Sequence, residues 1–299
     1  MMRATTEETT VSIGSLLADM IFDLQSESRT PRIDAEALIM HVTGLERNDF
    51  LAKPHTSLTA NQRHSLENLL ARRKSGEPVA YLTGVREFWS MNLNVSPATL
   101  IPRPETELLV EQALRRIPLN AAWNIADLGT GCGAIALALS KERPRCRLVA
   151  TDLSPSALEV ARSNARKFGV SSVEFLEGDW FAPLASRKFD LIVSNPPYVA
   201  ADDPHLSQGD LRFEPVSALV NGPDGLASIR HIAESASSHL NAGGWLIVEH
   251  GWDQAKAVNG ILTGHGSYNI ACRQDLSGID RITECRKRSG IQANDYASP

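Results

Sequence analysis

Short apolar strands alternate with helical segments over the second half of the chain, and this pattern restricts the fold more than any other feature. The strands are predicted over residues 123–128, 147–151, 173–176, 189–194 and 245–249. Such alternation is typical of an α/β domain with a mostly parallel, doubly wound sheet. Residues 268–273 and 281–286 are predicted as two further strands, joined by a turn at Ser277-Gly278, that form an antiparallel edge.

The chain up to Gly84 has a helical pattern instead. Apolar residues between Ile13 and Leu24 recur at intervals of three and four, which predicts an amphipathic helix. Thr59 followed by Gln62 predicts a capping box at the start of a later helix. A small all-α domain is therefore expected before the α/β domain.

A length of 299 residues exceeds that of a usual single domain, which favours a division into parts. The predicted parts are a helical N-terminal domain over 1–84, a bridging hairpin or linker over 85–104, a catalytic domain over 105–288 and a polar tail over 289–299. The alternating segment from Phe88 to Val95 supplies the predicted bridge.

Composition narrows the classes of function and location. The net charge of −5 argues against nucleic acid as the main partner, since proteins that bind its backbone usually carry a basic surplus. The sequence shows neither a secretory signal nor an apolar run long enough to span a membrane, so a cytoplasmic location is expected. The four cysteines are widely spaced, and neither a metal site nor a disulfide is expected: Cys132, Cys146, Cys272 and Cys285.

A glycine-rich loop follows the first predicted strand of the α/β domain and precedes an apolar helix over 135–140. It consists of Gly129, Thr130, Gly131, Cys132 and Gly133. Glycines at the carboxyl edge of a strand permit a tight turn and close approach of a nucleotide ligand. Asp152 ends the next strand about twenty residues on, where a carboxylate accepts hydrogen bonds from ribose hydroxyls. The loop therefore predicts a ligand with an adenosine-like ribose.

The glycines alone fit a nicotinamide cofactor as well as S-adenosylmethionine. Asp127 favours S-adenosylmethionine, because a carboxylate at the loop entrance would repel a pyrophosphate but suits a ligand with an ammonium and a sulfonium group. After the third strand, Asp179 is expected to accept a hydrogen bond from the adenine amine and Trp180 to pack on the adenine ring.

The tetrapeptide Asn195-Pro196-Pro197-Tyr198 directly follows a predicted strand and is the strongest single motif. At the carboxyl edge of the sheet it is expected to face the glycine loop. The Asn195 side-chain oxygen and the Pro196 carbonyl are predicted to accept the two N–H groups of a planar amide or amine, while Tyr198 stacks on it. The two prolines hold this backbone with little entropy to lose on binding. Asn195 is also expected to contact the methyl donor.

The chain resembles the bacterial release-factor glutamine methyltransferases, the protein-(glutamine-N5) methyltransferases of the HemK/PrmC type. The resemblance covers nearly the whole chain. It is carried by the glycine loop, the Asn195 to Tyr198 motif and three further stretches: Gly84 to Trp89, Ile101 to Glu107 and Phe213-Glu214-Pro215.

This resemblance implies a Rossmann-like class I methyltransferase domain that uses S-adenosylmethionine, with a helical N-terminal domain that helps to bind the substrate. The implied substrate is the glutamine amide in the Gly-Gly-Gln motif of peptide chain release factors, whose methylation supports translation termination. Arg103 and Glu105 are assigned to substrate binding, although the sequence also allows an ordinary ion pair at a helix start.

Other functions stay open at this point. A ribosomal-protein glutamine methyltransferase would share every motif. An adenine-N6 methyltransferase would suit the Asn195 to Tyr198 motif equally well, but would require a basic face and a target-recognition region that the sequence does not show. A nicotinamide oxidoreductase would have no use for that motif, and a non-catalytic binding module would not need both the donor loop and the acceptor motif.

Overall fold

The computed structural model describes residues 12–288 of the chain. The chain divides into two compact units. The first contains the chain up to Gly84 together with Ser207–Phe213, and the second contains Val85–Leu206 and the chain from Glu214 onward. The predicted polar tail, 289–299, lies outside the described residues.

The first unit is helical in its described part. Its helices are α1 (Ile13–Leu24), α2 (Pro31–Thr43), α3 (Arg47–Ala52), α4 (Ala60–Lys74) and α5 (Val79–Thr83). Thr59 is the N-cap of α4: its hydroxyl accepts from the backbone of Gln62, while the Gln62 side chain accepts from the backbone of Thr59. The predicted capping box is thereby confirmed.

A buried ion pair crosses the first unit. The Arg73 guanidinium donates to the Asp34 carboxylate over 2.7 Å, and both side chains are almost fully buried. Arg73 also lies 3.4 Å from Asp210, which belongs to the separate segment Ser207–Phe213. Because a buried charge without a partner is costly, this cluster ties distant parts of the chain into one unit.

The second unit is built on a sheet of seven strands. In chain order, after the hairpin strands β1 (Val85–Phe88) and β2 (Met91–Asn94), they are β3 (Asn124–Leu128), β4 (Arg147–Asp152), β5 (Val173–Glu177), β6 (Phe189–Ser194), β7 (Leu240–Glu249), β8 (Tyr268–Gln274) and β9 (Asp280–Arg286). Their order in space is β5-β4-β3-β6-β7-β9-β8. The first five are mutually parallel, and β9 runs antiparallel to both of its neighbours. The predicted mostly parallel sheet with an antiparallel edge is confirmed.

Helices cover this sheet, and its strands are largely buried. The helices are α6 (Glu107–Arg116), α7 (Ala134–Glu142), α8 (Pro155–Lys167), α9 (Val216–Leu219), α10 (Ala227–His239) and α11 (Ala255–Gly264). One apolar core includes Ala126, Ile192 and Val248 from neighbouring strands, each fully buried. This packing fixes the carboxyl ends of β3, β4 and β6 at one edge, which is where a doubly wound sheet binds its ligands.

The hairpin of β1 and β2 belongs to the second unit. Trp89 and Ser90 form its turn with positive φ angles of 52° and 55°. The Asn164 side chain on α8 accepts from the Asn94 backbone over 2.7 Å and donates to the Asn94 carbonyl over 3.0 Å. The side-chain amide of Asn164 thus pairs with both backbone groups of Asn94, as a neighbouring strand would, and holds the hairpin against α8.

Candidate active site

The glycine loop connects β3 to α7, and its backbone adopts left-handed conformations that residues with a Cβ atom disfavour. Gly129, Gly131 and Gly133 have positive φ angles of 72°, 55° and 87°. A Cβ atom on Gly133 would also lie 3.2 Å from the Ala161 Cβ. Left-handed conformation costs other residues energy, so glycine is needed here for the turn and for close packing.

Asp152 at the end of β4 holds the loop from the neighbouring strand. Its carboxylate accepts from the Gly131 backbone over 2.8 Å and from the Ser154 backbone over 2.9 Å. Each oxygen receives one of these bonds, which leaves lone pairs for further donors. Burial raises the pKa of Asp152, while the backbone hydrogen bonds lower it. The carboxylate is therefore placed to accept two hydroxyl groups from a ligand.

Asp127 lies under the loop and is fully buried. Its Oδ2 accepts from the Thr130 hydroxyl over 2.6 Å and from the Ala136 backbone over 3.2 Å. Its Oδ1 has no hydrogen-bond partner among the described residues. Burial raises the pKa of this carboxyl to about 7. Asp127 thus stabilises the loop through one oxygen and keeps the other as an acceptor.

A cavity of about 590 Å³ opens beside the loop within the second unit. Among the predicted site residues, its wall contains Gly129, Thr130, Gly131, Cys132, Asp152, Asp179, Trp180, Asn195 and Pro197. Trp180 has a positive φ of 42°, and its carbonyl accepts from the Thr151 hydroxyl over 3.0 Å. This turn sets its ring against the backbone of Gly129. The cavity therefore brings the loop, the Asp152 carboxylate and an aromatic wall together.

Six predicted site residues lie outside this wall: Arg103, Glu105, Asp127, Gly133, Pro196 and Tyr198. Asp127 and Gly133 shape the loop from beneath. The Arg103 guanidinium forms an ion pair with the buried Glu214 carboxylate, so the partner of Arg103 comes from the Phe213-Glu214-Pro215 stretch. A role for Arg103 and Glu105 in substrate binding stays a prediction.

Asn195 reaches the cavity from the end of β6. Its Nδ2 donates to the Thr106 hydroxyl over 3.1 Å. Its Oδ1 is buried and has no hydrogen-bond partner within residues 12–288. Leaving a buried acceptor unmet is unfavourable, so such an atom in a cavity wall indicates that a ligand supplies the donor.

The segment after Asn195 is fixed by side chains from other elements. The Pro197 carbonyl accepts from the Asn221 side chain over 3.2 Å, and the Tyr198 carbonyl accepts from the Gln254 side chain over 3.0 Å. The Tyr198 hydroxyl donates to the Glu249 carboxylate over 3.3 Å. These contacts hold the motif in place before any acceptor binds.

Sequence reasoning missed two residues behind this motif, Thr106 and Glu249. Both are almost fully buried. Burial raises the pKa of Glu249 to about 7, while the neighbouring Thr106 and Tyr198 hydroxyls act in the opposite direction. Glu249 Oε2 has no hydrogen-bond partner among residues 12–288. One signal was available for Glu249, because it ends an apolar strand at the same sheet edge as Asn195. Thr106 lies in the Ile101 to Glu107 stretch that carries the resemblance, but its bond to Asn195 could not be predicted, since the two residues are 89 positions apart.

The described part of the chain contains no set of side chains suited to bind a metal ion. No group of three or more His, Cys, Asp or Glu side chains there is arranged to hold a metal ion. Burial raises the pKa of the Cys132 thiol to about 12, so this loop cysteine stays protonated. Over the same residues, no helix has both the length and the apolar character needed to cross a membrane.

Comparison with known proteins adds family information to this geometry. Residues 104–210 match the model of the methyltransferase small domain, and residues 15–84 match that of the PrmC N-terminal domain. The release factor glutamine methyltransferase of Escherichia coli (strain K12) is 50% identical over 267 residues, which cover 89% of this chain and 96% of that protein. The protein of the same name from Vibrio cholerae is 52% identical over 260 residues, covering 87% and 91%.

The fold is shared with solved structures as well. A methyltransferase from Pyrococcus furiosus aligns over 77% of this chain and 100% of its own, with a TM-score of 0.51 and 19% identity. The sheet order with its glycine loop, and the methyltransferase domain matched to it, define the class: this is a Rossmann-like, S-adenosylmethionine-dependent methyltransferase. Within that class, the identity to curated relatives over most of the chain shows that it belongs to the release factor glutamine methyltransferase family.

The cavity fits S-adenosylmethionine in its donors and charges. The ribose of this molecule carries two hydroxyls, for which Asp152 keeps free lone pairs. Its ammonium and sulfonium groups are positive, and the wall contains the acidic side chains of Asp152 and Asp179, while Asp127 is buried beneath the loop. Its adenine is flat and apolar on both faces, as is the indole ring of Trp180 in the wall.

Proposed function

We propose that this chain transfers the methyl group of S-adenosylmethionine to the side-chain amide nitrogen of the glutamine in the Gly-Gly-Gln motif of peptide chain release factors. The observation that carries the proposal is the unmet Oδ1 of Asn195 in the wall of the cavity that also contains the glycine loop. Amide methylation requires a hydrogen-bond acceptor for the amide N–H group next to the methyl-donor site. Asn195 Oδ1 is such an acceptor.

On the donor side, Asp152 would bind the ribose hydroxyls, and Trp180 with Asp179 would bind the adenine. The loop from Gly129 to Gly133 would admit the donor close to the backbone, since it has no side chain at its glycines. When bound, the donor supplies a methyl carbon whose bond to positively charged sulfur breaks as the carbon–nitrogen bond forms.

On the acceptor side, the amide nitrogen is a weak nucleophile because its lone pair is delocalised into the carbonyl group. Asn195 Oδ1 and the Pro196 carbonyl would each accept one of its N–H groups and thereby orient the lone pair toward the methyl carbon. The nitrogen becomes acidic only as the new bond forms, so its proton leaves to solvent after attack has begun. Catalysis then depends on positioning and electrostatics in a desolvated cavity.

The helical unit is proposed to dock the protein substrate. Support comes from its match, over residues 15–84, to a domain model of the same family. The net charge of −5 further favours a protein over a nucleic acid as the acceptor, because a nucleic-acid backbone would be repelled. We therefore propose release factors as the direct partner, without contact to RNA or DNA.

The test is transfer of labelled methyl from S-adenosylmethionine to purified release factor. A release factor whose Gly-Gly-Gln glutamine is replaced by alanine serves as the matched acceptor control. Ribosomal protein and DNA are offered in parallel reactions. Label on the intact release factor that disappears in the glutamine variant is the expected result.

Two other outcomes would overturn the assigned substrate. Label on ribosomal protein alone would keep glutamine chemistry and change the partner. Label on DNA alone would mean that the acceptor is an exocyclic amine of a base. The Asn195 to Tyr198 motif suits such an amine equally well.

A further inference from the structure

The side-chain amide of Asn195 has two ends, and only one of them serves the reaction. We propose that Thr106 is a positioning residue that turns the Asn195 oxygen toward the acceptor, and that Glu249 sets the direction of the Thr106 hydroxyl. The inference rests on the proposed function, since it concerns how the amide of the substrate is bound.

The contacts define which end faces the cavity. Asn195 Nδ2 donates to the Thr106 hydroxyl oxygen over 3.1 Å, which leaves Oδ1 unmet. In the reversed orientation, Asn195 would present N–H groups to the N–H groups of the substrate amide. Two donors facing each other form no hydrogen bond and lose the desolvation energy of both.

A threonine hydroxyl alone would not select one orientation, because it can donate as well as accept. Glu249 removes this ambiguity. One oxygen of its buried carboxylate accepts from the Tyr198 hydroxyl over 3.3 Å, and the other, Oε2, has no hydrogen-bond partner among residues 12–288. The Thr106 hydroxyl lies beside this carboxylate, so when Glu249 is ionised Oε2 is the acceptor toward which the Thr106 hydrogen turns. Only the Thr106 lone pairs then remain for Asn195. The Asn195 Nδ2 must then face Thr106.

Burial strengthens the interactions within the series Glu249, Thr106 and Asn195, here called the relay. Thr106 is 4% exposed and Glu249 is 1% exposed, so water does not compete strongly for either group. Polar groups in such surroundings interact more strongly than they do in solvent. The relay also joins three separate parts of the second unit: the 3₁₀ turn Pro104–Thr106, the end of β6 and the end of β7.

The test compares Thr106→Val with Thr106→Ser on release factor as acceptor. Valine keeps the shape but cannot accept from Asn195, and we expect it to lower kcat by roughly 30-fold while the Kd for S-adenosylmethionine stays within about twofold. Serine keeps the hydroxyl and should restore kcat to within about threefold. Thr283→Val is the matched control, because it removes an equally buried hydroxyl that bonds His250 instead.

A second measurement reports orientation without turnover. Peptides carrying Gly-Gly-Gln or Gly-Gly-Glu are titrated by calorimetry in the presence of S-adenosylhomocysteine. The wild type should prefer glutamine, whose N–H groups match the Asn195 oxygen. Thr106→Val and Glu249→Gln should each reduce this preference by about tenfold, since the reversed Asn195 amide would donate to the glutamate carboxylate.

The outcomes separate this inference from the proposed function. If Thr106→Val keeps the wild-type kcat and the wild-type peptide preference, or if Thr106→Ser is as slow as Thr106→Val, the positioning role is wrong. If the wild type does not methylate release factor, the assigned substrate is wrong, and the same variants are compared on the acceptor that it does methylate. Non-additive losses in the Thr106→Val, Glu249→Gln double variant would support a single relay.

Discussion

A buried carboxamide oxygen that has no hydrogen-bond partner in the described part of the chain is the residue-scale feature on which the proposed chemistry depends. Asn195 holds this atom in the cavity wall through one bond to Thr106. The motif itself could be predicted from sequence, because its residue types suit an amide and it follows a strand. Its contact with Thr106 could not, since the two residues are 89 positions apart and only the folded unit brings them together. Glu249 carried a partial signal, as the acidic end of an apolar strand at the same sheet edge.

Replacement of Asn195 by alanine should separate donor binding from transfer. We expect Asn195→Ala to lower kcat by at least roughly 100-fold, because the acceptor amide loses the oxygen that orients it. The Kd for S-adenosylmethionine, measured by calorimetry, should change little. Loss of donor binding in this variant would show that Asn195 acts mainly on the donor.

Glu249 should make the stability of the protein depend on pH. Burial raises its pKa from 4.5 to about 7 in the folded state, so the folded state holds the proton more tightly than the unfolded state does. This stabilisation is complete below pH 4.5 and is lost as pH rises through about 7. The loss is on the order of 3–4 kcal/mol, since the pKa difference between 4.5 and about 7 is about 2.5 units and each unit corresponds to about 1.4 kcal/mol.

Urea unfolding between pH 4.5 and 8 measures this effect by comparison of the wild type with Glu249→Gln. The free energy of unfolding of the wild type should fall more steeply with rising pH than that of the variant. Parallel curves for the two proteins would mean that Glu249 is ionised throughout this range.

At the scale of elements, the turn between β3 and α7 determines where the donor fits. Apolar runs and glycines predicted this strand, loop and helix correctly, since burial and backbone freedom are properties of local sequence. The start of β7 was harder to predict from the sequence. It begins at Leu240 instead of the predicted Trp245, because its first part contains Gly243 and Gly244 and lacks an apolar pattern.

Two glycines allow the loop to be tested with a matched pair of variants. Gly131 and Gly169 have similar φ angles of 55° and 65°, and a Cβ on either would meet no atom within 4 Å. Alanine at either position should cost about 1–2 kcal/mol of stability for the left-handed backbone. Gly131 also lines the cavity, so only Gly131→Ala should weaken S-adenosylmethionine binding.

Calorimetric titration measures the affinity of both variants for S-adenosylmethionine, and thermal unfolding measures their stability. Equal donor affinity in Gly131→Ala and Gly169→Ala would mean that the donor does not approach the loop backbone. A loss of affinity in both would point to a general effect of destabilisation.

At the scale of the whole molecule, the two units have separate apolar cores. The helical pattern and the alternating pattern are both visible in the sequence, because each repeats over many residues. The membership of Ser207–Phe213 in the helical unit had no signal in the local sequence. It depends on contacts such as Asp210 with Arg73, which lies 137 positions earlier.

Disruption of the helical unit should affect docking of the protein substrate and leave donor binding intact. Asp34→Ala removes the buried partner of Arg73, which typically costs about 3–5 kcal/mol. Asp23→Ala is the control, since its ion pair with Lys74 is exposed and should contribute less than about 1 kcal/mol. We expect Asp34→Ala to raise the KM for release factor but not for a short Gly-Gly-Gln peptide.

Steady-state kinetics on both acceptors distinguish the alternatives. An unchanged KM for release factor, in a variant whose helical unit is shown to be unfolded by circular dichroism, would contradict a docking role. Loss of activity on the peptide as well would mean that the damage extends to the catalytic unit.

The most direct test of the central claim is localisation of the transferred methyl group. Release factor is incubated with the enzyme and S-adenosylmethionine, digested, and sequenced by tandem mass spectrometry. The proposed function predicts one added methyl group on the side-chain nitrogen of the Gly-Gly-Gln glutamine, absent when Asn195→Ala replaces the wild type. A methyl group on any other residue, or on the peptide backbone, would contradict it.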